Sequence, residues 1–143
     1  MSATDLETWD RSVHTTNIWL KEINEQLGPD RRPMAWHVLG VVLRALRDRL
    51  RPEDAANLSA QLPLIVCGAF YEQYRPSIQP EPIISREAFL EKIAAGLEDI
   101  RPVDPEDAAR AVFAVLSRHL PERQIEKTRE VLPEKIRSLW PAS

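Results

Sequence analysis

Residues 34–63 read MAWHVLGVVLRALRDRLRPEDAANLSAQLP, and their pattern decides the fold class. Val38, Val42, Leu46 and Leu50 recur every fourth residue, Leu39 and Leu43 lie beside them, and Val41 and Ala45 widen the band. On a helix of 3.6 residues per turn that band exceeds a single stripe, so the helix is covered on most sides. The charges are confined to Arg44, Arg47, Asp48, Arg49 and Arg51. Only a narrow strip is thus left to face water, because burying charge is costly. Pro52 followed by Glu53 and Asp54 starts a second helix: proline fits the first turn and carboxylates suit the positive helix end.

Sliding the chain against itself by seventy positions pairs Leu20 with Leu90, Ile23 with Ile93, Leu27 with Leu97, Val42 with Val112, Leu46 with Leu116 and Leu50 with Leu120. The same shift superposes Leu62-Pro63 on Leu132-Pro133, Trp19 on Phe89 and Phe70 on Trp140, without a gap. The matches sit at apolar and punctuating positions, where packing dictates the residue, and we read them as a duplication. The expected architecture is all-α: about eight helices as two tandem four-helix repeats in a single globular domain, residues 1–143. Repeat one covers about 4–74, a proline-rich linker 75–84, and repeat two about 85–143.

The chain has 143 residues, enough for one proper core, and each half alone would be marginal. A formal charge of -3 leaves no global basic field to gather nucleic acid or an anionic membrane. With one cysteine, no secretory pattern at the N-terminus and no apolar run near ~20 residues, the expectation is a soluble protein of a reducing compartment, placed in the cytoplasm and off the membrane.

Thr4 and Glu7 form a capping-box pattern that opens helix one, along which Trp9, Val13, Thr16, Leu20, Ile23 and Leu27 keep one stripe until Gly28-Pro29. That stripe is expected to pack within its own domain, weighed against a coiled-coil dimer, since it spans only about three heptads and includes a threonine. PDRRP, residues 29–33, connects to the central helix. Pro63 opens a fourth helix running to Tyr74, whose Leu64, Ile65 and Cys67 are apolar where Glu134, Lys135 and Arg137 stand in the second copy. We expect that extra apolar face to lie between the halves as their shared core, the alternative being a partner-binding surface. Three prolines in RPSIQPEPII, residues 75–84, preclude continuous helix. Ser85 caps the next helix, and Asp104-Pro105-Glu106-Asp107 opens the central helix of copy two.

No catalytic or metal constellation can be assembled from the sequence. His14, His37 and His119 fall on three helices without a ligand partner at one-face spacing, the glycines are isolated, and Cys67 sits among apolar neighbours. No catalytic, metal or cofactor residue is assigned. Two groups remain as candidates. Arg44, Arg47 and Arg51 lie along one helical face and form a candidate anion-binding strip, weighed against a solvated face paired with Asp48, Glu53 and Asp54. Phe70, Tyr71, Tyr74 and Arg75 form a candidate partner-binding group, weighed against a helix end packed under the linker.

At RALRDRL (44–50), EDAANLSAQLP (53–63) and the aromatic segment ending Tyr74-Arg75-Pro76, the sequence resembles a bacterial family, domain of unknown function 2267, and the likeness extends to the LP and LW elements near 132–140. Where that family often carries a tryptophan before Arg-Pro, this chain has Tyr74. The resemblance implies a small, all-helical, duplicated protein and supplies no catalytic residues. The leading expectation is a noncatalytic interaction or assembly module with a protein partner, homo-oligomerisation being open. The alternatives are a nucleic-acid-associated protein using the arginine strip, and an enzyme with a pocket of converging titratable groups.

Overall fold

A computed structural model describes residues 3–28, 32–99 and 103–142, without the side chains of residues 3, 4, 32 and 33. The PDRRP connection therefore lies mostly outside the described residues, as does the Thr4 hydroxyl. Within them the chain forms α1 (Ala3–Leu27), α2 (Arg32–Arg49), α3 (Pro52–Ser59), α4 (Leu64–Phe70), α5 (Arg86–Gly96), α6 (Pro105–His119), α7 (Glu122–Glu130) and α8 (Glu134–Arg137), with a 3-10 turn at Pro76–Ile78 and no strand. Among the described residues no helix is long and apolar enough to cross a membrane.

The starts follow local chemistry. Pro52 and Pro105 occupy the first turns of α3 and α6, and the Asp104 side chain accepts from Glu106 N at 2.8 Å. Ser85 Oγ accepts from Ala88 N at 3.1 Å and caps α5. Pro63 and Pro133 precede α4 and α8 with the same backbone angles, φ -55 and ψ 145, and Cys67 N and Arg137 N donate to Pro63 O and Pro133 O, each at 2.9 Å.

The two central helices, α2 and α6, are buried along most of their length and pack on each other. Around them α1 packs on α2, α4 and α6, while α5 packs on α2, α6 and α8, and α3 meets α7. Trp140 lies face to face with Phe113, centroids 4.2 Å apart, and seals the lower core; Phe113 also stacks on Phe89. Gly96 lets the end of α5 close on α2, since a Cβ there would stand 2.7 Å from Val41 Cγ1.

Three expectations are corrected. The stripe of α1 is covered only in its second half: Thr16 and Ile23 are buried, but Trp9 is 53% exposed and Leu6 and Val13 are also open. The helix overhangs its neighbours, and its buried side there runs through Ser12 instead. The extra apolar face of α4 does not lie between the halves. Ile65 N donates to Ser12 Oγ at 3.1 Å, so the α1 overhang covers part of that face and leaves Leu64 62% exposed. Helix α5 has no such overhang, because the proline-rich segment precedes it. Finally, α4 ends at Phe70 rather than Tyr74, with Gln73 at φ 57 in the left-handed region.

Candidate functional site

The arginines expected on an open strip are placed differently from one another. Arg47 is 2% exposed. Its Nη1 donates to Phe70 O at 2.7 Å and Glu72 O at 2.6 Å, its Nε to Asp48 Oδ1 at 2.9 Å, and its guanidinium lies 5.2 Å from the Tyr74 ring centre. A buried cation is tolerable here because carbonyls, a carboxylate and a π-face surround it. Arg44 Nη1 donates to Ala69 O at 3.1 Å and stands 3.5 Å from Glu72. Arg51 points elsewhere, pairing with Asp54 at 3.0 Å and Glu53 at 3.4 Å on the surface. Periodicity on α2 could not anticipate this, since the acceptors come from α4 and the turn beyond it.

The aromatic group is likewise divided. Phe70 is fully buried and belongs to the core, so contact with a partner is closed to it. Tyr71 and Tyr74 are half-buried, edge to face at 5.1 Å, with the Tyr71 hydroxyl 3.0 Å from Ser59 Oγ. Arg75 is exposed, and its side chain has no hydrogen bond or ion pair among the described residues.

These placements bring Arg44, Arg47 and Arg75 into one cleft of about 470 Å³ between α2, α5 and segment 72–78. Lys92 reaches it from α5, bonded to Asp48 at 2.8 Å and Glu81 at 2.6 Å, and His37 Nε2 donates to Gly96 O at 2.9 Å. The sequence split these residues between two separate candidates and missed Lys92 and His37, whose only signal was a position on facing helices.

On the opposite side of the bundle, Glu22 of α1 binds Arg118 at 2.6 Å and His119, whose ring stacks on Trp19 at 5.8 Å. Burial raises the Glu22 pKa, but the hydrogen bonds from Arg118 and His119 outweigh it and hold the carboxyl below its ordinary value. Glu106, hydrogen-bonded by Arg86 and then Arg110, is lowered as well. Among the described residues no group of three or more His, Cys, Asp or Glu side chains is placed to hold a metal.

The family described as an uncharacterized conserved protein, DUF2267, matches residues 16–139. The chain belongs to the DUF2267 family. A search of the curated proteins finds no match. In this DUF2267 protein the cleft and these ion-pair networks fall within the matched region, whereas Leu6, Trp9 and Val13 precede it.

Proposed function

We propose that the protein is a noncatalytic interaction module on an internally duplicated scaffold, one domain with repeats at about 4–74 and 85–143. The duplication is supported by a pair of charge-reversed bridges. Asp48 of α2 holds Lys92 of α5, and seventy positions on, Arg118 of α6 holds Glu22, itself seventy before Lys92. Opposite signs at related sites, bonded in both cases, argue for shared geometry retained while the side chains diverged. The matching turns at Pro63 and Pro133 point the same way.

The interaction reading is carried by the open face of α1. Leu6, Trp9 and Val13, spaced by three and four, line one side of its overhang with Asp10 beside them. A large exposed aromatic on a rigid helix is the type of anchor that concentrates binding energy. Asp10 favours a partner helix that carries a Lys or Arg beside its apolar residues. Surface Trp9 and Val13 do little for stability, so changing both to Glu should leave the unfolding midpoint within about 0.5 kcal/mol of the parent. Affinity capture should then recover a reproducible partner with the parent chain and lose it with W9E/V13E. Capture unaffected by the variant, or a parent chain that simply dimerises through this face, would overturn the reading.

A further inference from the structure

The cleft beside α2 carries more positive charge than its own structure uses. Its lining holds Arg44, Arg47, Arg75 and Lys92 against Asp48 and Glu72, with Glu81 also bonded to Lys92 at 2.6 Å, in a chain whose net charge is -3. Asp48 is already engaged by both Arg47 and Lys92. Glu72 is mostly solvated and reaches Arg44 only at 3.5 Å. The Arg44 side chain is 20% exposed, its Nη1 serves Ala69 O and Glu72, and its Nε and Nη2 have no acceptor among the described residues. Arg75, also in the lining, has no ion pair among the described residues. Val41 and Ile78 supply an apolar floor.

The second half of the molecule provides a comparison, which rests on the duplication proposed above. Seventy positions from His37, Arg44 and Arg47 stand Asp107, Ala114 and Ser117, and the counterpart of Lys92 is Glu22. Each of these four positions has a neutral or acidic counterpart, so the fold can be built without a cation at the place of Arg44, whereas Arg47 and Lys92 are tied into bonds of this half. Burial depresses the Arg44 pKa, with Glu72 only partly offsetting it and Arg47 adding repulsion. An anion in the cleft would add countercharge and take the place of water at the Arg44 Nε and Nη2.

We propose that this cleft binds a small organic oxyanion, its charged group held by Arg44 and Arg75 with Lys92 nearby and its apolar portion on Val41 and Ile78. Carboxylates and phosphate monoesters share that chemistry, and guanidinium groups recognise both in a two-pronged manner. The test is a titration of the full chain, followed by backbone amide NMR, with benzoate and with phenyl phosphate, at ionic strength fixed with sodium chloride. At least one probe should saturate in the millimolar range and shift the amides of Gln73 and Gly96. Arg75→Ala, at an exposed and unpaired site, should weaken that probe at least tenfold, and Lys92→Met should weaken it too. Arg118→Ala, on the far side, should leave it unchanged. Shifts that stay linear for both probes, or equal weakening by R75A and R118A, would overturn the site. The W9E/V13E variant should titrate like the parent, so the outcome is separable from that of the α1 face.

Discussion

Arg47 is the residue on which the first half of the molecule closes. Its guanidinium ties α2 to the end of α4 through Phe70 O and Glu72 O, and it holds Asp48, which in turn holds Lys92 of α5. Removing it strands two carbonyls and leaves a largely buried carboxylate with Lys92 as its remaining cation. Arg47→Met should therefore cost about 3–5 kcal/mol in urea unfolding, the range for breaking a buried ion pair from one side. Arg51→Ala, which removes only a surface pair, should leave the midpoint unmoved. Glu22 gives a residue-scale test on pH. Its folded pKa lies below the ordinary 4.5, so its contribution is complete above that value and is lost as pH falls through the folded one. The stability gap between the parent and Glu22→Gln should close as the solution is acidified below about pH 4.5.

Elements were legible in the sequence wherever a short-range rule sets them. Asp104-Pro105 opens α6 because a side-chain oxygen and a ring-fixed φ act within two residues of each other, and the structure shows both at work. Asp104→Ala should accordingly lower stability by about 1 kcal/mol, read from thermal or urea unfolding. Where an element depends on a distant neighbour, the pattern misled. The α1 periodicity is regular from Trp9 to Leu27, but a repeat reports which residues share a face and not what covers that face. Periodicity likewise turns the charged end of α2 toward water, because the acceptors that let Arg47 be buried lie 23 and 25 residues on, beyond any helical spacing. The cleft drew on α2, α5 and the link together, so its members could be found singly but not assembled.

At the scale of the whole molecule, the first helix of each proposed repeat is shared between halves. Helix α1 packs on α2 and on α6, and α5 packs on α6 and on α2, with the Glu22–Arg118 and Asp48–Lys92 bridges fastening the two crossings. Neither central helix is therefore enclosed by its own half alone. Val42, Leu46, Val112 and Leu116 are all fully buried, and separating the halves would expose surface whose burial is worth about 1.5–3 kcal/mol per side chain. A small domain has only about 5–15 kcal/mol in total, so a few such exposures exhaust it. The intact chain should then unfold in one step, with tryptophan fluorescence and far-UV circular dichroism giving coincident urea midpoints. A fragment of residues 1–80 should show helical signal without a cooperative transition. Two separated transitions, or a fragment that unfolds as sharply as the whole, would mean that each half closes its own core and that the crossings are only contacts between finished units.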